Sequence, residues 1–245
     1  RGRRGRAPRR ARLTSLHLLA LFLQNATRPP FVGEVTYLVP SAPPLVASSS
    51  RMRGKARMKG AMLREALFWY DERHEQDARD RLRAALAPDP AFDLSAPALG
   101  VLATEWYDAS AVHRVLDLMA DGKSAAERDA LAREIADATV ERVSHGVYRF
   151  LVRKLISPHF YARHIQTLWS QVHSTGRREM VVEDAAKRAV SRTADWDGHH
   201  PLLCRVAMET VGAFFRVMGL EEVRVTPVAC VDRGDETCVA ELTWR

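Results

Sequence analysis

Between residues 58 and 172 apolar side chains recur at helical spacing. Met62, Leu63, Ala66, Leu67 and Tyr70 mark one stripe, and Ala78 through Ala87 forms a second that ends before Pro88. After a loop rich in Pro, Asp and Ser, Asp108 stands where it can cap a helix carrying Val112, Val115, Leu116 and Met119, stopped by Gly122. Ser124-Ala-Ala-Glu127 has capping-box spacing, in which the serine oxygen accepts an otherwise unpaired N–H and the glutamate reaches back. It opens a long helix with Leu131, Ile135 and Ala138 on one face. Gly146 breaks that helix before a second half, Val147 to Ile156, halted by Pro158. Phe160, Ile165, Leu168 and Trp169 mark a further amphipathic stretch.

The period then changes from helical to alternating. Glu179–Glu183 and Arg188–Ala194 read as two strands joined by Asp184-Ala-Ala-Lys187. Pro201 suits the first turn of a helix bearing Leu203, Val206, Ala207, Val211, Phe214, Phe215 and Met218, with Gly219 past its end. Strands Glu222–Val231 and Cys238–Trp244 flank the turn Asp232–Thr237. The predicted class is α+β: helices followed by a four-stranded antiparallel sheet, built from two hairpins with an intervening helix.

Charge changes the picture at the N-terminus. Of the 37 Lys and Arg, twelve lie in residues 1–57 against one acid, Glu34, so the net charge of +7 belongs to that segment and the remaining chain is slightly acidic. A basic domain face for nucleic acid does not follow. Residues 1–57 read as a disordered basic extension: either a segment translated upstream of a true start at Met52 or Met58, or the outline of a secretory signal. Its apolar run, Leu16 to Leu23, is far shorter than the roughly 20 residues that span a bilayer. Residues 58–245 are expected to form one domain.

Three cysteines carry the sharpest chemistry. An odd number argues against a disulfide scaffold and leaves metal ligation or plain burial. In the last strand Cys238, Ala240, Leu242 and Trp244 share one apolar face, and across the hairpin Val228 and Cys230 join it if Pro227 marks a bulge. With Cys204 on the covering helix, three thiols can converge as a soft set suited to zinc. His200, placed four residues before Cys204, Glu183 or Asp232 could supply a fourth ligand, as could water. Inert core thiols are the plain alternative.

Other constellations offer less. Arg233-Gly-Asp235 reads as a hairpin turn rather than an adhesion motif. His159 and His164 lack ligand spacing, and Ser144-His145 are neighbours that point apart on a helix. No nucleophile elbow, phosphate loop, dinucleotide fingerprint or zinc-protease motif occurs, so no catalytic set is assigned. Tyr148, Phe150, Phe160, Trp169 and Phe214 are candidates to line a ligand pocket beside the sheet.

Several segments carry a family resemblance: Ser144-His-Gly-Val-Tyr-Arg-Phe-Leu151, Ser157-Pro-His-Phe160, Leu168-Trp169, His173-Ser-Thr-Gly-Arg177, and Cys230-Val-Asp-Arg-Gly-Asp-Glu-Thr-Cys238 through Trp244. With Met58-Lys-Gly60 and Trp106-Tyr107, they resemble a myxobacterial paralogous family over residues 58–245. More distantly, the spacing of the three cysteines is similar to the 4-vinyl-reductase-type domain, including sensor domains of aromatic-responsive bacterial transcription activators. That superfamily also holds haem-based nitric-oxide sensors and TRAPP-type trafficking subunits. The resemblance implies an α+β fold with a small-molecule pocket, and in the aromatic sensors a zinc held by these cysteines and a glutamate. This chain has Pro227 where that glutamate would stand. Haem is set aside at this stage, because no Tyr-x-Ser-x-Arg signature occurs and no histidine is marked as an axial ligand.

The functional expectation is a non-enzymatic module that senses a small apolar or aromatic ligand, acts on a partner protein in trans as a homodimer, and holds a structural zinc. It binds no nucleic acid and spans no membrane. Thiolates place it in the cytoplasm. The alternative is a homodimeric interaction subunit without a small ligand.

Overall fold

The computed structural model describes residues 55–87, 89–144 and 157–245. Residues 1–54, Pro88, and the expected half-helix Val147 to Ile156 with Tyr148 and Phe150 lie outside them.

The fold opens with a short strand, β1 (Arg57–Lys59), followed by α1 (Gly60–Arg73) and α2 (Gln76–Leu86). Strand β2 (Trp106–Asp108) returns to pair antiparallel with β1, and α3 (Ala109–Met119) follows it directly. This two-stranded ribbon has no counterpart in the sequence reading, since three residues are too few to show a period. It is tied down by close packing: a Cβ at Gly60 would stand 2.2 Å from the Leu102 carbonyl oxygen, while the Gly60 N–H donates to the Glu105 carbonyl at 2.8 Å. The β1 backbone also bridges to the end of a later helix. Met58 pairs with His173, and Arg57 and Ser174 exchange hydrogen bonds.

The capping box forms as the spacing predicts. Ser124 Oγ accepts from the Glu127 N–H, the Ser124 N–H donates to Glu127 Oε2 at 2.7 Å, and α4 (Ala125–Val143) runs from there. Ser157 Oγ caps α5 (Pro158–Val172) by accepting from Phe160 N–H. Strands β3 (Arg177–Glu183) and β4 (Arg188–Ala194) form the first hairpin; α6 (Pro201–Met218) crosses over; β5 (Arg224–Ala229) and β6 (Cys238–Thr243) form the second. All pairs are antiparallel, in the order β3-β4-β6-β5. The α+β class and the two-hairpin sheet are therefore as expected. Pro201 occupies the first turn of α6, and Gly219 closes it with φ +96°, the left-handed conformation that glycine adopts without strain.

Helix α6 is apolar on most of its faces, apart from the charged stripe of Arg205, Glu209 and Arg216, and enters both cores. Leu202, Leu203 and Val206 pack with α1, α3 and α4, whereas Cys204, Met208, Val211 and Phe215 pack with the sheet and α5. Against α4 it buries one charge. Glu209 is fully buried, and its carboxylate lies 3.0 Å from Arg205 Nη2 and 3.5 Å from Arg133 Nε. No described helix is long and apolar enough to cross a membrane.

Removing one partner of a buried ion pair strands the other. Arg205→Ala would leave the fully buried Glu209 carboxylate with only the half-exposed Arg133 beside it and is expected to destabilise the fold by about 3 kcal/mol, read as a lowered midpoint in urea denaturation; a variant within about 0.5 kcal/mol of wild type, the range of ordinary surface substitutions, would show that the α4–α6 seam does not depend on this pair.

Candidate functional site

The three cysteines meet. Cys204 comes from the first turns of α6, Cys238 begins β6, and Cys230 follows β5. The sulfurs of Cys230 and Cys238 are 3.8 Å apart, and His199 Nε2 lies 3.5 Å from Cys230 Sγ. One donor atom from each of His199, Cys204, Cys230 and Cys238 falls within 4.8 Å of every other. With metal–sulfur bonds of about 2.3 Å and metal–nitrogen bonds of about 2.0 Å, the edges of a tetrahedral zinc site are about 3.8 Å between sulfurs and 3.5 Å from sulfur to nitrogen. The two measured separations match those edges.

A β-bulge makes the convergence possible. Pro227 pairs with Ala240 and Ala229 with Val239, so Val228 is the extra residue. Side chains alternate along a strand, and one inserted residue reverses the alternation beyond it. Cys230 thereby turns to the inner face occupied by Cys238. The bulge is where Pro227 predicted it, but Val228 does not share that face: as the inserted residue it is 57% exposed.

The hairpin loop holds the geometry. The Cys230 N–H donates to Asp235 Oδ2 at 2.7 Å, the Asp235 N–H returns to the Cys230 carbonyl, and Gly234 sits at φ +88°. Arg233-Gly-Asp235 is thus a turn. The Val231 N–H points at Cys238 Sγ from 3.5 Å. Cys238 is the thiol whose pKa is drawn down, by hydrogen bonding from Cys204 first and also by His199 and this N–H, while that same hydrogen bond and burial push Cys204 up.

The candidates for a fourth ligand need correction. His200 is the N-cap of α6, with φ −150° and ψ 138°, so it lies outside the helical spiral on which a four-residue spacing would face Cys204. Its ring stacks on His113, accepts from the Leu203 N–H and reaches Asp117 at 3.0 Å. Glu183 pairs with Arg188, and Asp232 is exposed in the loop. The residue beside the sulfurs is His199, one position earlier, in the turn that leads from β4 into α6.

Next to this cluster, at the seam of the two cores, lies a cavity of about 190 Å³. Phe160, Trp169 and Phe214 line it, as the sequence suggested, among apolar side chains from α1, α3, α4, α5 and α6. Its polar wall was missed. Arg178, Tyr161, His173 and Thr139 all face it, and Thr139 Oγ1 and His173 Nδ1 have no hydrogen-bond partner. Parity could have revealed Arg178, since it shares the inward register of β3 with Met180 and Val182. His173 stacks on Trp169 at 3.9 Å and meets Trp196 edge-on at 5.0 Å; Trp196 in turn meets the His199 ring at 5.5 Å. An unbroken run of rings thus links the cavity wall to the cysteine cluster.

The chain is similar in fold to solved H-NOX proteins. An H-NOX protein from S. oneidensis in its Fe(II)NO ligation state matches with TM-score 0.55 and 11% identity, over 77% of this chain and 99% of that one. A mutant of T. tengcongensis H-NOX matches with TM-score 0.53 and 12% identity, over 77% and 98%. Unliganded Fe(II) H-NOX from K. algicida gives 0.52 and 12%, over 77% and 97%. At such identities the likeness concerns the fold alone. No protein-family model and no curated protein matches the sequence. These neighbours correct the sequence reading on haem. The fold is one whose solved examples include iron(II)–NO and haem-distortion studies, so the lack of one short signature is no ground for setting haem aside.

Burial holds the His173 imidazole down to about 3, with the Arg178 guanidinium adding to the effect. A histidine depressed in the fold contributes stability above its unfolded value of about 6.5 and loses it as pH falls toward the folded one. Denaturation midpoints of the wild type should therefore decline between about pH 6.5 and 3, and His173→Phe should flatten that decline. An unchanged slope in the variant would place the loss elsewhere.

Proposed function

We propose that this domain is a non-enzymatic ligand-sensing module: a compact, largely apolar molecule occupies the cavity between helices and sheet, and a structural zinc pins the adjoining hairpin. The observation that carries the reading is the cavity, on whose wall Thr139 Oγ1 and His173 Nδ1 lack partners. An apolar-lined space costs on the order of 24 cal/mol per Å³, so about 190 Å³ amounts to roughly 4–5 kcal/mol, a large fraction of a domain's stability. A scaffold without a ligand gains nothing from keeping it, and no observation favours the alternative of a purely structural homodimer.

The cavity is only somewhat larger than the roughly 150 Å³ that accommodates benzene, which sets the scale of a compact occupant. Haem, which the fold neighbours imply, also finds suitable groups here. His164 and His173 are the imidazoles on the wall, His173 is neutral with an unpartnered nitrogen, and Arg178 could face a propionate. Bound there, haem would supply an iron for a small gaseous ligand. The tetrapyrrole is far larger than the cavity, so its entry would require the helices to part, whereas a single aromatic ring would not.

At the cysteine cluster, His199, Cys204, Cys230 and Cys238 would hold the zinc. Deprotonated thiolates need a reducing compartment, which supports a cytoplasmic site of action. Occupancy would be relayed to a partner protein in trans through the surface of α5 and the sheet, with the homodimer as the unit of assembly. Kinship with the myxobacterial paralogues rests on the sequence motifs.

Two measurements on the full chain test the reading. Metal analysis of protein purified under reducing conditions should find one zinc per chain; Cys230→Ser and His199→Ala should each lose it and melt at lower temperature, as should wild type treated with a chelator. Full zinc occupancy in Cys230→Ser would remove the site. Native mass spectrometry with an absorption spectrum, before and after adding haemin or single-ring aromatics, should reveal a bound small molecule. A chain that carries none and takes up none would overturn the sensing role.

A further inference from the structure

The cavity wall carries a charge that no carboxylate of the described residues neutralises. Arg178 is 7% exposed and stands on β3 facing the cavity. Its Nε donates to Ser191 Oγ at 3.2 Å and its Nη2 to the Ala207 carbonyl at 3.0 Å, both neutral acceptors. Its guanidinium lies 5.1 Å from the centre of the Trp169 ring. Among the described residues no carboxylate forms an ion pair with it, whereas the buried Glu209 has two arginines beside it. A guanidinium has five N–H donors and keeps its proton in proteins, so among the described residues three of those hydrogens have no acceptor and the positive charge has no carboxylate beside it. Burying such a charge is costly unless an opposite one accompanies it.

Two sources of negative charge are near. The thiols of Cys204 and Cys238 bear on Arg178 through space, yet no hydrogen bond joins it to any of the three sulfurs. The cavity is the other. Beside Arg178 stand the Tyr161 ring and the neutral His173, whose Nδ1 has no partner, and beyond them the lining is mostly apolar, with Thr139, His164, Thr167, Gln171 and Thr210 set among the aliphatic and aromatic side chains. A cation and an unpartnered nitrogen at one end of an apolar space match an amphiphile with one charged head.

We propose that the preferred occupant of the cavity is a compact monocarboxylic acid, its carboxylate paired with Arg178 and its aromatic ring or short alkyl chain lying among the apolar side chains of α1, α4, α5 and α6. This rests on the ligand-sensing reading and narrows it to a chemical class. The cavity volume of about 190 Å³ suits an acid of one ring or a short chain, which makes benzoate and octanoate the probes and benzyl alcohol and octanol their neutral counterparts.

Calorimetric titration of the full chain with these four compounds tests the assignment. A hydrogen-bonded charge pair is worth about 1.5–3 kcal/mol, so each acid should bind at least about tenfold more tightly than its matched alcohol. In Arg178→Met that preference should vanish while the alcohol binds as well as before. The wild-type comparison stands even if the variant fails to fold. Equal binding of acid and alcohol would overturn the carboxylate assignment and leave the sensing role in place. Binding of neither, with a haem-free protein, would overturn both. An Arg178→Met protein that loses zinc but keeps the acid preference would assign the charge to the thiolates and overturn the proposal.

Discussion

One inserted residue governs the cysteine-bearing end of this molecule. Were β5 and β6 to run in unbroken register, the alternation that buries Val225 and turns Pro227 inward would leave Cys230 facing solvent. The bulge at Val228 reverses that parity once, and the consequence is a sulfur opposite Cys238 instead of behind it. Everything around the cluster accommodates the reversal. The Asp235 carboxylate catches the backbone N–H of Cys230, Gly234 lets the loop close, and the turn after β4 delivers His199 to the remaining side.

The second organising feature is α6, whose opposite faces serve two cores. Its apolar faces are interrupted by the charged stripe of Arg205, Glu209 and Arg216, so little of it can shed a misfit to solvent, and small groups let neighbours approach. A Cβ at Gly212 would come within 2.5 Å of Val225 on β5. The cavity lies where the two cores fail to close on each other, and its polar wall comes from elements that belong to different cores: Thr139 from α4, His173 from the end of α5, Arg178 from β3.

Much of this was legible in the sequence. Periodicity located α6 and the four long strands, Ser124 and Glu127 announced α4, and the alternation in β6 turned Cys238 inward. What escaped had physical reasons. Ribbon β1–β2 is held by long-range backbone pairing, and no local pattern records a partner some fifty residues away. His200 looked like a ligand because helical spacing was extended one residue too far, onto a cap whose backbone is still extended. Arg178 was passed over because charge was read as exposure, though its parity with Met180 pointed inward. Haem was set aside for want of one short motif, whereas the likeness of fold to H-NOX proteins is written in no short motif.

The antiparallel bridge between Met58 and His173 has a mechanical side. Both residues border the cavity, and just beyond it the Arg57 N–H donates to the Ser174 hydroxyl while the Ser174 N–H donates to the Arg57 carbonyl. Strand β1 thus forms part of the rim of the cavity. Because the pairing is between backbones, a shift of the chain at His173 would carry that strand with it without detouring through the helical core, as the short arm of a lever moves with the long one.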